Sequence, residues 1–335
     1  SSLMGIASVA NREGDGEGDP FRDTVRIIVL LWGCGRMHIP DNFLSTPVWA
    51  ALDVVAVSAV GLMVKRARRE LDDSRIPLLG VMGAFVFAAQ MINFPVGVGT
   101  SGHLVGGALL ACTLGLAPAA LIMTVIIAIQ AFVFQDGGVL ALGANVFNMA
   151  IAGVLAGYWP YRIWGAGRRQ PAIFAGAVLS VMVSASLALG ELLISGIKMP
   201  RPLILVSLAL FAISALIEGA ITVSVIQAID KLNPSFVRRP DRANAPVLVT
   251  LGAVALILGM VGFLLASTTP DGIERLGLKL GLHSTVSFHA PLADYTVPLL
   301  DSAWLRRATG GLAGLVLIYA ICAAAGRLIG RQRSA

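Results

Sequence analysis

Long apolar runs separated by short polar stretches dominate the chain. The runs lie at about residues 47–64, 77–95, 104–116, 117–134, 143–161, 172–196, 203–229, 246–267 and 309–326. A helix of about 20 apolar residues crosses the roughly 30 Å hydrocarbon layer of a bilayer. The pattern therefore predicts an all-α, polytopic membrane bundle of about nine transmembrane helices, with seven in a core and two in a C-terminal unit.

The run 104–134 is the ambiguous part, because it reads either as one long helix or as two helices broken near "GLAPA" (115–119). Pro118 lacks an N–H and disfavours a helical residue before it. Basic residues cluster at 65–75, 162–169, 231–242 and 327–333, and these clusters share one side only if 104–134 crosses twice. The positive-inside rule assigns that side to the cytoplasm, so the first span is entered from outside.

This orientation predicts that all four histidines lie at the outer face. His38 belongs to "MHIPDNFLS" (37–45), and His103 belongs to "FPVGVGTSGHLVGG" (94–107). His283 and His289 fall in the outer loop at about 268–308.

Composition supports a polytopic membrane protein, which is expected to lie in the cytoplasmic (inner) membrane. The chain is 56% apolar and 13% charged, with a mean hydropathy of +0.82, whereas soluble domains have about 25% charged residues. The net charge of +6 follows from the loop clusters and is no evidence for a nucleic-acid partner. Cys34, Cys112 and Cys322 are far apart, so neither a disulfide framework nor a thiolate metal site is expected.

The pair Met37–His38 has a specific chemistry if Met37 is a free N-terminus. Its amine, the amide nitrogen of His38 and the His38 imidazole then close a five-membered and a six-membered chelate ring on one metal. One in-plane position remains, for which His103 is the natural ligand. Nitrogen-rich planar sites suit Ni(II) or Cu(II), with Co(II) a neighbour. The alternative is that His38 lies at a helix entry and His103 only lines a loop.

Residues 1–36 do not read as a working segment. Their first half is polar and is expected to be disordered. The apolar run "VRIIVLLWGCG" (25–35) is about half the length needed to span, and the segment lacks a signal-peptide cleavage site. The simplest interpretation is an upstream sequence read in frame, with the working protein starting at Met37; processing after Arg36 is the alternative.

Three stretches carry a family resemblance. "MHIPDNFLS", "GTSGHLVGG" (99–107) and "FVFQDGGVLALGANVFNMAIAG" (132–153) resemble the substrate-specific membrane component of energy-coupling-factor cobalt/nickel importers, the CbiM/NikM family. The resemblance covers a domain at about 37–235 and implies a planar four-nitrogen metal site formed by Met37, His38 and His103. One departure matters, because a peptide-bonded Met37 has no amine to donate.

The C-terminal domain, 236–335, resembles the small companion subunit of the same importers. It has two spans around an outer loop with "PDGIE" (270–274) and "PLADY" (291–295), as in a fused PDGLE-type (CbiN/NikN-like) unit. The resemblance implies a role in metal loading. Candidates to pass metal inward are Asp271, Glu274, His283, His289, Asp294 and Tyr295. The alternatives are that Asp271 and Glu274 simply favour a helix N-terminus and that the others are solvated loop residues.

Polar residues inside the spans are costly and indicate function by default. Asp53, Glu191 and Glu218 fit either a proton relay or structural hydrogen bonds. Asn145 and Asn148 share one helix face. Together with Gln135, they are predicted to orient the histidine ligands or, alternatively, to bond neighbouring helices.

The chain has no P-loop, so ATP hydrolysis is expected on separate subunits. The glycines of "GVGTSG" (97–102) join two spans, which favours a tight turn over nucleotide binding. The first hypothesis is a non-enzymatic subunit that captures Co²⁺ or Ni²⁺ as substrate, without an organic cofactor, and works with a transmembrane coupling (T) subunit and ATPase (A) subunits. A proton-driven carrier is the alternative; a membrane enzyme is disfavoured because no nucleophile–base set appears.

Overall fold

The computed structural model describes residues 38–71, 73–97, 100–233, 245–264, 271–282, 289–297, 300 and 302–331. The extension 1–36, Met37 and His283 lie outside the described residues. The predictions made for them are therefore neither confirmed nor contradicted by the fold.

Ten helices and one small hairpin make up the described part of the chain. The helices are Thr46–Glu70 (α1), Ile76–Gln90 (α2), Gly107–Leu114 (α3), Leu116–Phe134 (α4), Leu142–Trp164 (α5), Arg169–Ile194 (α6), Arg201–Leu232 (α7), Ala245–Val261 (α8), Gly272–Leu280 (α9) and Ala303–Arg331 (α10). Strands Asn93–Gly97 (β1) and Thr100–His103 (β2) pair antiparallel, and 3₁₀ turns lie at Asp73–Arg75, Gly262–Leu264 and Ala293–Tyr295.

Each of the nine predicted runs contains a helix, but the count of nine spans is not confirmed. Among the described residues, 6 helices are long and apolar enough to cross a membrane. Helices α2 and α8 are apolar but shorter, and α3 has only 8 residues. The second predicted run ends at Gln90 instead of 95 because β1 follows. Helix α9 begins where Asp271 and Glu274 were expected, as one alternative, to favour a helix N-terminus.

The predicted break near 115–119 is present. Helix α3 ends at Leu114 and α4 begins at Leu116, with Gly115 between them at φ 88°. That backbone conformation is open to glycine and unfavourable for other residues. Pro118 falls in the first turn of α4, where a missing N–H costs nothing.

Helix α3 is short because the chain before it is not helical. The backbone polar groups of this non-helical stretch bond to side chains inside the bundle. Glu218 accepts from the N–H groups of Val105 (2.7 Å) and Gly106 (2.9 Å), and Gln90 Nε2 donates to the Val105 carbonyl (2.8 Å). Non-helical backbone is tolerated at membrane depth only when protein satisfies it in this way.

The β1–β2 hairpin positions His103. Asn93 pairs with His103 and Phe94 with Gly102, and both strands contact α7. A Cβ at Gly102 would lie 2.5 Å from Ser214 Oγ on α7, so only glycine allows this approach. The turn residues 98–99 lie outside the described residues.

Basic and acidic side chains join helix ends at the end of the bundle far from the hairpin. Arg75 Nη2, just before α2, donates to the Leu114 carbonyl at 3.1 Å. Arg169 at the start of α6 forms two bonds to Asp230 near the end of α7, at 2.6 and 3.1 Å. These contacts agree with a chain that passes in alternate directions through 104–134.

The C-terminal helices α8 and α10 pack against α2. A Cβ added at Gly80 would lie 2.7 Å from the Tyr319 ring, and one at Gly83 would lie 2.9 Å from Cys322 Sγ. Small residues allow helices to approach closely in lipid. The two C-terminal helices therefore belong to the same bundle as the first domain.

Candidate metal site

A cavity of about 70 Å³ lies between the start of the described chain, the hairpin, α5, α6, α7 and α9. Its lining includes His38, His103, Thr100, Ser101, Asn145, Asn148, Ser184, Ser214 and Asp271. Organic ligands occupy pockets of about 300–1,000 Å³. This cavity is therefore of a size for an ion with a few coordinating groups.

His38 is buried at the cavity with unused bonding capacity. Its side chain is 1% exposed, and its Nδ1 lies 3.4 Å from Asp136 Oδ1. Its Nε2 is buried and has no hydrogen-bond partner among the described residues. A buried polar atom without a partner is costly, so this nitrogen is available for a ligand or for a group outside the described residues.

His103 presents a nitrogen lone pair. Its Nδ1 lies 3.1 Å from the Leu104 carbonyl, which can only accept. In this contact Nδ1 donates, which is the tautomer in which Nε2 is the ring nitrogen able to bind a metal. This is the arrangement in which a histidine serves as a metal ligand.

Asn145 fixes the backbone next to His38. The Ile39 N–H donates to Asn145 Oδ1 at 2.9 Å, and Asn145 Nδ2 donates to the Ile39 carbonyl at 3.1 Å. Gly138 N–H donates to the same carbonyl at 3.0 Å. The side-chain amide thus pairs with residue 39 as a neighbouring strand would.

Asn148 lies in a π-helical segment of α5, Val146–Gly153, a feature found often at functional sites. The side chain is buried; Nδ2 donates to Glu191 Oε2 at 2.8 Å, and Oδ1 has no partner within the described part of the chain. Asn148 therefore brings a second unsatisfied atom to the cavity wall.

Asp136 and Tyr295 complete the surroundings of His38, and sequence reasoning had given neither this role. Asp136 is 4% exposed, and Tyr295 Oη donates to its Oδ2 at 2.6 Å. The interpretation of Tyr295 as a solvated loop residue is wrong, because it is also 4% exposed. The sequence did contain a signal for Asp136. An acid directly after an apolar helix is unfavourable beside the negative end of the helix dipole, so its presence after α4 indicates a specific partner.

Gln135 and His289 lie away from the cavity lining. Gln135 Oε1 accepts from the Ala290 N–H at 3.3 Å. His289 is exposed.

Asp271 of the C-terminal domain reaches the cavity. It is buried and caps α9, with its Oδ1 accepting from the Glu274 N–H at 2.7 Å. Burial raises the pKa of the Asp271 carboxyl well above its ordinary value, and the bond from Glu274 opposes that rise only in part. Glu274 is half-buried in the first turn of α9.

Across the residues that the structure describes, no group of three or more His, Cys, Asp or Glu side chains is arranged to hold a metal. A metal at the cavity would thus need ligands of another kind beside the two histidines. Backbone nitrogens at residues 37 and 38 are ligands of that kind.

The three acids of the spans each accept hydrogen bonds. Asp53 Oδ1 accepts from the Gly143 N–H at the start of α5 (2.9 Å). Glu191 accepts from Asn148, and Glu218 from the backbone before α3. These bonds favour the structural role that the sequence left open.

Comparison with known proteins shows two family matches. Residues 38–236 match the model described as CbiM, "Cobalt uptake substrate-specific transmembrane region", and residues 245–331 match the PDGLE domain.

Similar curated proteins are named as transport proteins. The putative fused nickel transport protein NikMN of Archaeoglobus fulgidus is 34% identical over 293 residues, which are 85% of this chain and 96% of the relative. The probable fused nickel transport protein LarMN of Lactiplantibacillus plantarum is 33% identical over 76% of this chain and 84% of its own. These names agree with a transport component that is not an enzyme.

Two solved structures of transition metal transporters are similar to this chain. A crystal structure of a transition metal transporter has a TM-score of 0.52 and 29% identity, covering 61% of this chain and 98% of the other. A truncated transition metal transporter gives the same values over 58% and 99%.

Proposed function

Because the chain belongs to the CbiM family of cobalt-uptake transmembrane regions and carries a PDGLE domain, we propose that it captures Co²⁺ or Ni²⁺ at the outer face of the cytoplasmic membrane. It then delivers the ion inward as the substrate-binding component of an ATP-driven energy-coupling-factor importer. One observation carries the proposal: His38 and His103 line a single small cavity, where His38 Nε2 is buried without a hydrogen-bond partner among the residues that the structure describes.

The proposed ligands are the amine of Met37, the amide and imidazole nitrogens of His38, and the imidazole of His103. Only Nδ1 of His38 closes the six-membered chelate ring. In the structure Nδ1 lies on the Asp136 side, so binding requires a half turn of the ring about Cβ–Cγ. That turn exchanges Nδ1 with Cδ2 and Nε2 with Cε1, which brings Nε2 toward Asp136 and frees Nδ1.

The ligand set requires Met37 to be the mature N-terminus. The family match, which starts at residue 38, supports this requirement. Deprotonation of the amide makes metal binding release protons, so affinity falls as the pH is lowered.

Asn145 and Asn148 are proposed to orient the histidines, and Gln135 to hold the same region from outside the cavity. The C-terminal domain, 236–335, is proposed to load the metal, and buried Asp271 at the cavity wall supports this role better than exposed His289 does. Glu274 supports this role indirectly, because its backbone N–H donates to Asp271 in the α9 cap.

The energy is proposed to come from separate T and A subunits. The alternative, a proton-driven carrier, would use Asp53, Glu191 or Glu218. Their hydrogen bonds to backbone or amide groups support a structural role instead. Uptake in cells that lack the ATPase partners discriminates between the two: it fails for the importer and persists for the carrier.

The decisive experiment joins two measurements on purified protein. Mass spectrometry of the mature protein identifies its first residue, and equilibrium Ni²⁺ and Co²⁺ binding is then measured for wild type, His38→Ala and His103→Ala. His289→Ala is the matched control, because it removes an exposed imidazole without touching the cavity. Tight binding by both cavity variants, or a mature chain that binds metal with its extension intact, would rule out the four-nitrogen site.

A further inference from the structure

Besides Asp271 at the cavity wall, the C-terminal domain approaches the candidate metal site through a second segment, residues 289–297. Its backbone bonds to the end of α4: the Leu292 N–H donates to the Val133 carbonyl at 2.9 Å, and the Ala290 N–H donates to Gln135 Oε1 at 3.3 Å. The segment therefore docks directly beside Asp136.

Aromatic packing fixes the side chain of Tyr295 in this segment. Its ring stacks on Phe134, with centroids 4.6 Å apart and an interplanar angle of 12°, and lies 6.0 Å from Phe87. The ring is buried, so its hydroxyl has little freedom of position. The backbone is also constrained, since Asp294 and Tyr295 both have positive φ, at 53° and 56°, which non-glycine residues keep only where the surroundings enforce it.

The Tyr295 hydroxyl and His38 share one carboxylate. Tyr295 Oη donates to Asp136 Oδ2 at 2.6 Å, and Asp136 Oδ1 lies 3.4 Å from His38 Nδ1. Hydrogen bonds to a carboxylate are short and strong. The tyrosine thus determines which way the carboxylate faces, and the carboxylate faces the imidazole.

We propose that Tyr295 is a positioning residue for metal capture: its hydroxyl holds Asp136 so that the carboxylate fixes the orientation and tautomer of the His38 ring. After the half turn that chelation requires, Nε2 donates to Asp136 and Nδ1 keeps the lone pair that a metal needs. A single hydroxyl from the C-terminal domain thereby stabilises the metal-binding orientation of a ligand of the first domain. The inference rests on the proposed function, since it needs His38 to bind metal.

Carboxylates that orient metal-bound histidines typically change metal affinity by about 10–100-fold when they are removed. Tyr295 acts one bond further away, so Tyr295→Phe is expected to weaken equilibrium Ni²⁺ binding by about tenfold, and Asp136→Asn by at least as much. Phenylalanine keeps the ring stacked on Phe134, so the fold is expected to persist, but the thermal unfolding midpoint of metal-free Tyr295→Phe should fall because buried Asp136 loses a donor; affinity is therefore measured well below that midpoint.

The test measures Ni²⁺ affinity and the absorption spectrum of the bound Ni²⁺ on the full chain. Tyr319→Phe is the control, because it removes a hydroxyl from the same domain on the α2-facing side of α10. The expected result is a weaker Kd and a shifted ligand-field band for Tyr295→Phe and Asp136→Asn, with the control unchanged.

A double variant separates positioning from general packing. If Tyr295 acts through Asp136, then Tyr295→Phe adds no further loss to Asp136→Asn, because coupled residues are not additive. Wild-type affinity and spectrum in Tyr295→Phe, or losses that add in full, would overturn the proposal. Failure of the metal site itself gives a different result, namely wild-type Ni²⁺ binding by His38→Ala.

Discussion

Two carboxylates, at opposite ends of the bundle, are used differently. Asp230 gives both oxygens to Arg169 in a two-bond pair at 2.6 and 3.1 Å. Asp136 divides its oxygens between Tyr295 at 2.6 Å and His38 at 3.4 Å. The first carboxylate joins two neighbouring helices. The second joins two domains and faces an imidazole whose Nε2 has no partner within the described ranges.

The difference teaches how to separate polar groups that hold a membrane bundle together from those that act on a substrate. Burial does not separate them, since Glu218 at the α3 entry is as buried as His38. Remaining bonding capacity does: both carboxylate oxygens of Glu218 accept backbone bonds, whereas His38 Nε2 and Asn148 Oδ1 face the cavity without partners among the described residues.

Removing a cavity imidazole should give the largest effect. His38→Ala and His103→Ala are each expected to lower equilibrium Ni²⁺ affinity by more than about 100-fold, because each removes a ligand instead of a group that orients one. Isothermal titration on the mature protein measures the change. A loss below tenfold in either variant would place the metal elsewhere.

Glu218→Gln should act on folding and leave transport intact. A glutamine has one acceptor oxygen, so one of the two N–H groups before α3 loses its partner, and the free energy of unfolding is expected to fall by about 2 kcal/mol. Thermal unfolding in detergent measures this, with exposed Glu70→Gln as control. Uptake per folded molecule should persist when the ATPase partners are present; its loss would favour the proton-driven carrier.

Asp271→Asn should change the pH dependence of stability. The raised pKa of Asp271 means that the folded state binds the proton more tightly than the unfolded state. Wild-type stability is therefore expected to decline as the pH rises above the ordinary aspartate value of about 3.9. Asparagine still caps α9 and has no charge to bury, so its metal-free Tm should exceed that of wild type at pH 7, by roughly 2–4 °C. Equal Tm values across the pH range would contradict this.

Arg169→Gln should have the smallest effect and sharpens the contrast between the two ends. The Arg169–Asp230 pair is partly exposed, at 21% and 25%, so its loss is expected to cost only about 0.5 kcal/mol. Ni²⁺ affinity should equal that of wild type within the error of the titration. A large fall in affinity would show that the far end is coupled to the metal site.

Much of the architecture follows from the hydrophobic pattern, because lipid forces backbone groups into helices. The break between α3 and α4 was predictable from Gly115 and Pro118. The length of α3 was not, since it depends on Glu218, which lies more than a hundred residues away in the sequence. Helix α9 is too short and too charged to be recognised as a membrane span from its sequence.

The candidate site was also predictable only in part. The sequence and the family resemblance pointed to His38 and His103, and the structure brings both to one cavity. Asp136 and Tyr295 are 159 residues apart. No local pattern joins a tyrosine in one domain to an acid at a helix end in the other, so this contact needed the fold.

The π-helical segment of α5 makes the site depend on the number of residues as well as on their identity. Each residue turns a helix by roughly 100°. Deleting one residue within Val146–Gly153 would let the segment relax to ordinary α-helix and rotate Asn145 away from its partner Ile39, while every side chain at the site stayed chemically the same. The helical register of this segment is thus itself a determinant of the geometry of the proposed site, and substitution scans would not reveal it.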